Sequence, residues 1–240
     1  VQNGETTVTM STNAVLDLLG KYDISADEID TIIVGTITPD RLLPCSAALI
    51  QQNINASNAW GYDLSAACSG FLFALQSGAA LISSLQCKKV IVVGVDTMSS
   101  ILDFTDRNTC ILFGDGAAAC LLCSTDEPKG ILSSHLHSDG KYIQELGTEY
   151  PSSKYKDIIT VENVKQRKHH IYMNGREVFK HAVRRFPEVI REGLKYNNLS
   201  IDDVSLVIPH QANFRITQAV RKQLNISENK VFSNIHKYGN

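Results

Sequence analysis

Short β-branched runs alternate with amphipathic stretches along this chain, and that alternation restricts its fold more than any other feature. Thr31-Ile-Ile-Val-Gly-Thr36 and Lys89-Val-Ile-Val-Val-Gly94 are apolar runs of strand length, as expected of strands buried on both faces. Gly61-Tyr-Asp-Leu64 reads as a third strand, and Cys110-Ile-Leu-Phe113 and Ala118-Ala-Cys-Leu-Leu-Cys123 as two more around a Gly114-Asp115-Gly116 turn. Between them the spacing predicts helices over 8–21, with Val15, Leu18 and Leu19 on one stripe, over 45–53 behind Pro44, and over 69–84. A long helix follows at about 174–197; Pro187 inside it predicts a break or kink near 186. Strands alternating with helices make an α/β fold with mostly parallel sheets.

An internal echo adds a second constraint. Ile24-Ser-Ala-Asp-Glu-Ile-Asp-Thr-Ile-Ile-Val34 can be laid on Leu199-Ser-Ile-Asp-Asp-Val-Ser-Leu-Val-Ile-Pro209, an offset of 175. Any helix–turn–strand unit gives a similar pattern; the alternative is a duplication, with two similar halves packed face to face. In the second case the strand and loop ending at Cys68 correspond to the strand 231–235 and the loop ending at Asn240. The organisation expected is a first half over 1–125 with Cys68, a connecting excursion over 126–168 whose polar stretch 138–168 lies at the surface, and a second half over 169–240. On this reading the fold is incomplete at both termini, because the second half stops where the first continues.

Charge and cysteine usage narrow the function classes. The 240 residues carry a net charge of −2, which gives no general pull toward nucleic acid or an anionic membrane. No apolar run reaches the length of a spanning helix, and Val1 to Thr7 has neither the basic region nor the apolar core of an export signal, so the expectation is a cytoplasmic protein. The six cysteines, at 45, 68, 87, 110, 120 and 123, read mostly as buried thiols. Cys120-Leu-Leu-Cys123 has redox spacing, but in a strand an offset of three points the side chains to opposite faces.

Three segments can carry chemistry. In Asp63-Leu-Ser-Ala-Ala-Cys68-Ser-Gly-Phe71 a strand gives way to small residues and then a helix. Cys68 is either a structural cysteine or a nucleophile whose thiolate is favoured by unpaired N–H groups and the helix dipole. In Val207-Ile-Pro-His210-Gln-Ala-Asn213-Phe-Arg215 a histidine stands just past a predicted strand, as a core histidine or as a general base or hydrogen-bond donor. Asn240 closes Asn234-Ile-His-Lys-Tyr-Gly-Asn240; by itself an Asn after Gly is a turn residue. His135-Leu-His137 would point two imidazoles to one side of a strand, with Asp139 nearby and no fourth metal ligand evident.

Taken together, Asp63 to Phe71, Thr105-Asp106-Arg107, Phe113-Gly-Asp-Gly116, Gly175 with Val178-Phe179-Lys180, Pro209-His-Gln-Ala-Asn213 and Lys237-Tyr-Gly-Asn240 resemble the beta-ketoacyl-acyl-carrier-protein synthase III family, in order and over essentially the whole chain. The resemblance implies a thiolase-like α/β fold, with two similar half-domains in a layered αβαβα arrangement. It implies an acyltransferase that starts fatty-acid biosynthesis. Cys68 takes an acyl group from acyl-CoA, and His210 and Asn240 stabilise the enolate left when malonyl-acyl-carrier protein loses CO₂. No metal or redox cofactor is required. Arg107, Phe179, Asn213 and Arg215 resemble residues of the CoA and pantetheine tunnel, Phe113 the aromatic beside the nucleophile, and Leu43 the residue that a partner subunit places at the end of the acyl pocket of a homodimer. The apolar loop Leu42-Leu-Pro-Cys-Ser-Ala47 suggests burial there. Lys180, Arg215 and Lys222 are candidates for docking the acidic carrier protein, as part of a basic patch with Arg184, or else an ordinary solvated face. The family pattern often has Gly after Thr-Asp-Arg; here Asn108 replaces it. The alternatives are a related starter synthase of polyketide or quinolone biosynthesis, or a non-catalytic thiolase-fold partner subunit.

Overall fold

The computed structural model describes residues 4–240, and these divide into two compact units. The first runs up to Met98 and resumes over Asp115–Leu132; the second takes Ser99–Gly114 and Ser133–Asn240. No helix among the described residues is long and apolar enough to cross a membrane.

The first unit is a sheet with helices on both faces. Its elements are α1 (Thr7–Tyr22), β1 (Thr31–Gly35), α2 (Ser46–Asn53), β2 (Trp60–Leu64), α3 (Gly70–Ser83), β3 (Lys89–Thr97) and β4 (Asp115–Cys123). The strand order is β2-β1-β3-β4. β1 pairs in parallel with β2 and β3, and β4 closes the edge antiparallel to β3. Every residue of β1 is buried. Ile32 and Val34 face the α1 and α2 side with Ile91 and Val93; Ile33 faces α3 with Val90 and Val92. Each such side chain contributes about 1.5–3 kcal/mol on burial, so β1 is the spine of the unit. A capping box starts α1: Thr6 Oγ1 accepts from the Thr9 N–H at 3.2 Å, and Thr9 Oγ1 accepts from the Thr6 N–H at 2.7 Å.

The second unit contains β5 (Leu146–Gly147), α4 (Val161–Lys165), β6 (Tyr172–Met173), α5 (Gly175–Tyr196), α6 (Phe214–Gln223) and α7 (Ile235–Tyr238). β5 and β6 form a small antiparallel pair. α6 packs against α5, with Ile216, Thr217 and Val220 buried.

The echo is visible as geometry. α1 ends with the Ile24 N–H on the Leu19 carbonyl (3.0 Å), and α5 with the Leu199 N–H on the Leu194 carbonyl (2.9 Å). Left-handed residues, Asp23 and Asn198, stand at the same place in each. Serine-capped 3-10 turns follow at Ala26–Glu28 and Ile201–Asp203. All three features repeat at the same offset of 175.

The structure differs from the sequence expectation at several points. Residues 110–112 are turn and Phe113 is irregular, not strand. The Thr109 and Cys110 N–H groups both bond to the Asp106 carbonyl, and the Leu112 N–H to that of Thr109, so these donors are spent locally. Gly114 and Gly116 make no hairpin, since β4 begins at Asp115 and pairs straight along β3. Pro187 does not break α5. The proline is buried, and Arg184 and Arg185 both reach Glu188 across it, at 3.0 and 2.9 Å. The strand expected at the end of 199–209 is reduced to one parallel bridge, Val207 with Val231. Leu206 and Ile208 are exposed beside it, which leaves little apolar burial to extend a ladder. Leu42 and Leu43 are exposed within the single chain, while Ser46 and Ala47 are buried.

Candidate active site

Cys68 sits in a 3-10 turn, Ala67–Ser69, between the end of β2 and the start of α3. The residue before it, Ala67, has φ 47°, a left-handed conformation rare for a side chain other than Gly, Asn or Asp. Two glycines let α3 close on the sheet. A Cβ at Gly35 would lie 2.6 Å from the Gly70 carbonyl carbon, and one at Gly94 3.1 Å from the Phe71 Cβ. The first turn of α3 therefore rests on β1 and β3, and Cys68 is held by the carboxyl ends of parallel strands, where α/β sheets bind ligands.

Asp96 lies near the end of β3, and its Oδ1 receives three donors: Thr36 Oγ1 (3.0 Å), the Ile37 N–H (2.8 Å) and Thr38 Oγ1 (2.8 Å). The Cys68 thiol is pushed up from its ordinary pKa. Desolvation is the main cause and the Asp96 carboxylate the next; the residue's own backbone N–H pulls the other way. The residue has an open face, yet the protein crowded round the sulfur removes enough hydration to disfavour the thiolate. The sequence expectation of a thiolate favoured by the helix start is thus corrected. That donor is present, and burial together with a nearby carboxylate outweighs it.

His210 follows Pro209 on the turn after the Val207 bridge. Desolvation lowers its pKa, so the neutral imidazole prevails near pH 7, although the residue reaches solvent. Gln211 ties this turn to the one before α7: Nε2 donates to the Pro209 carbonyl (2.8 Å) and to that of Phe232 (3.4 Å), and Oε1 accepts from the Asn234 N–H (3.2 Å). Asn240 follows α7 and Gly239. A Cβ at Gly114 would lie 3.0 Å from the Asn240 carbonyl oxygen, so the segment that carries Arg107 and Phe113 ends against Asn240.

The remaining sequence candidates are spread over these elements. Arg107 is exposed in a turn and Phe113 is half-buried. Asn213 caps α6, its Oδ1 accepting from the Arg215 N–H at 2.8 Å. Arg215 and Lys222 are both exposed on α6. Phe179 is exposed near the start of α5, and Lys180 beside it pairs with Glu177 at 3.2 Å. Leu43, the acyl-pocket candidate, is 85% exposed. His135 and His137 are not on a strand, but both face Glu192, at 3.0 and 2.7 Å. Among the described residues no group of three or more His, Cys, Asp or Glu is placed to hold a metal.

Sequence reasoning missed Ala67, Asp96 and Gln211. Gln211 stands inside the Pro-His-Gln-Ala-Asn run already singled out. For Asp96 the available signal was an acidic residue ending the apolar run of β3.

Comparison with known proteins shows the family. Residues 62–140 match the family described as 3-oxoacyl-[acyl-carrier-protein (ACP)] synthase III, and residues 194–240 match its C-terminal part. The beta-ketoacyl-[acyl-carrier-protein] synthase III of Chlorobaculum tepidum is 47% identical over 238 residues, which cover 96% of this chain and 70% of that protein. The Clostridium tetani protein of the same name is 43% identical, covering 100% and 73%. The crystal structure of 3-oxoacyl-[acyl-carrier-protein] synthase III from Aquifex aeolicus superposes with a TM-score of 0.90 at 39% identity, covering 100% of this chain and 72% of that one. Its thiolase-like α/β fold and these sequence matches place this chain in the beta-ketoacyl-acyl-carrier-protein synthase III family.

Proposed function

We propose that Cys68, His210 and Asn240 carry the reaction of this family in this chain. The reaction is the decarboxylative condensation of an acyl-CoA starter with malonyl-acyl-carrier protein, the acyl transfer that initiates fatty-acid synthesis. The Cys68 sulfur attacks the acyl-CoA thioester, and backbone N–H groups at the turn hold the oxyanion. CoA leaves as its thiol, taking up the proton that Cys68 gives up. Malonyl-acyl-carrier protein then loses CO₂. Hydrogen bonds from His210 Nε2 and Asn240 Nδ2 hold the resulting enolate, whose carbon attacks the acyl-Cys68 carbonyl and expels Cys68 as a thiolate, which takes a proton from solvent to restore the thiol.

The observation that carries this reading is the placement of Cys68, open to solvent on a left-handed turn where parallel strands end. A neutral His210 still carries one ring N–H with which to donate. Arg107, Phe179, Asn213 and Arg215 line the path of CoA and pantetheine in this reading, with Phe113 beside the nucleophile. Leu43 reaches the acyl pocket of a second copy in a homodimer. Arg215 and Lys222 face the carrier protein; Lys180 joins them only when it leaves Glu177. A cytoplasmic location belongs to the same reading.

The test is mass spectrometry of the intact protein after exposure to acetyl-, isobutyryl- and longer acyl-CoAs, followed by peptide mapping. One acyl group is expected, on Cys68, and none on Cys68→Ala. An acyl group on another cysteine, or uptake by Cys68→Ala, rules the assignment out.

A further inference from the structure

Segment 99–114 falls between two strands of the first unit in sequence, yet it is held by residues 167–171 of the second. Arg167 Nη2 donates to Asp103 Oδ1 at 2.6 Å across 64 positions of sequence. The Ile171 N–H donates to the Ile101 carbonyl at 2.9 Å, and His170 Nδ1 lies 3.3 Å from the same oxygen. Asp103 Oδ1 also accepts from the N–H and hydroxyl of Thr105, at 2.8 and 2.6 Å. The Asp106 N–H closes back on the Asp103 carbonyl at 2.9 Å. Asp106 Oδ1 in turn takes the Asn108 N–H and side-chain amide, both at 2.9 Å. Arg107 thus stands within the second of two consecutive aspartate-capped turns, the first bolted from outside by Arg167.

Arg167 is itself fixed. It has φ 60° just past α4, with its N–H on the Val164 carbonyl and the Lys168 N–H on that of Asn163, each at 3.0 Å. A left-handed arginine costs free energy and persists where its surroundings over-determine it. The Asp103 side chain is 14% exposed and that of Arg167 51%, so the pair is shielded on the carboxylate side and open on the guanidinium side.

We propose that Asp103 and Arg167 are positioning residues for acyl-CoA: their ion pair sets the turn that aims Arg107 at the nucleotide end of CoA. This rests on the reading of Arg107 given above. Neither residue touches the substrate. The clamp also gives the polar excursion before residue 168 a task, since it ends in the side chain that reaches back to this turn.

The test uses the full chain and two forms of whichever acyl group loads Cys68: the acyl-CoA and the matching N-acetylcysteamine thioester, which lacks the nucleotide. Arg167→Gln is expected to raise KM for acyl-CoA roughly threefold to fivefold, leaving kcat and the KM of the short thioester unchanged. Arg167→Lys restores most of the loss. Arg107→Gln raises KM for acyl-CoA, and the double variant is no worse than Arg107→Gln alone. If Arg107→Gln raises KM and Arg167→Gln does not, the clamp is wrong and the reading of Arg107 stands. If Arg107→Gln has no effect, that reading fails and the clamp falls with it. Additive effects in the double variant, or equal losses on both thioesters, also overturn the proposal, since either would make Arg167 a general support.

Discussion

A thiol whose surroundings disfavour the thiolate reacts slowly until the pH approaches its raised pKa or a bound substrate changes those surroundings. At Cys68 the second cause of the rise is the Asp96 carboxylate, and its sign fixes an expectation. Asp96→Asn removes a negative charge that opposes a second one, so the folded-state pKa of Cys68 falls and alkylation by iodoacetamide shifts to lower pH. A profile unmoved in a variant that unfolds at the wild-type temperature would falsify the electrostatic role of Asp96. His210 is perturbed in the sense that favours its neutral form. Its folded pKa lies below the ordinary value of about 6.5, so the neutral form is retained through that range and gives way to imidazolium only as pH falls further. Any change in malonyl decarboxylation that protonation of His210 brings is expected below that value, and one centred above about 6.5 contradicts the lowered pKa. His210→Ala should reduce decarboxylation by about 10²-fold or more while sparing acylation of Cys68. Both residues were nameable from the sequence, because a strand-to-helix turn of small residues and a strand-end histidine are local patterns. The direction of the Cys68 shift was not. A helix start can be read from spacing, but the packing that desolvates the sulfur is tertiary.

Helices and strands were legible where one local signal set each boundary. The α1 stripe of Val15, Leu18 and Leu19, of which Val15 and Leu19 are buried and Leu18 half-buried, the start of α2 behind Pro44 and the buried run of β1 are all one-dimensional patterns, and these elements came out within a residue or two. Residues 110–113 failed because three apolar side chains in a row look the same in a strand and in a turn, and the turn bonds to Asp106 decide between them. The contact of α3 with the sheet was also invisible, since it depends on two glycines more than thirty residues apart meeting in space. It carries a prediction at this scale. At Gly35 an added methyl meets the backbone of Gly70, which cannot rotate away as a side chain could. Gly35→Ala is therefore expected to cost about 1–3 kcal/mol, as overpacking does, and to slow acylation of Cys68 by moving the start of α3. Thermal denaturation together with the acyl-CoA mass assay checks both effects. A variant with wild-type stability and labelling would show that α3 does not depend on this close approach.

Across the whole molecule, the echo between 24–34 and 199–209 is local: the structure repeats the same helix closure, left-handed residue and 3-10 turn at that offset, while the strand that ends the first segment is a single bridge in the second. The sequence did not carry the grouping of 99–114 with the second unit, because that rests on an ion pair and backbone bonds formed across more than sixty positions. Assembly is the remaining question at this scale. Leu42 and Leu43 are adjacent and 71% and 85% exposed, on a loop whose next residues, Ser46 and Ala47, are buried in α2. Two neighbouring leucines held out by an anchored loop suit a contact with a second copy, and two-fold dimers are the commonest closed assembly. The full chain is expected to scatter light as a dimer at micromolar concentration. Leu43→Asp places a charge in that contact, and should shift the protein toward monomer and change which acyl-CoAs load Cys68. Scattering and the acyl-CoA mass assay separate the two effects. A wild-type monomer refutes the dimer, whereas a Leu43→Asp dimer with unchanged acyl preference keeps the assembly and removes Leu43 from the partner's pocket.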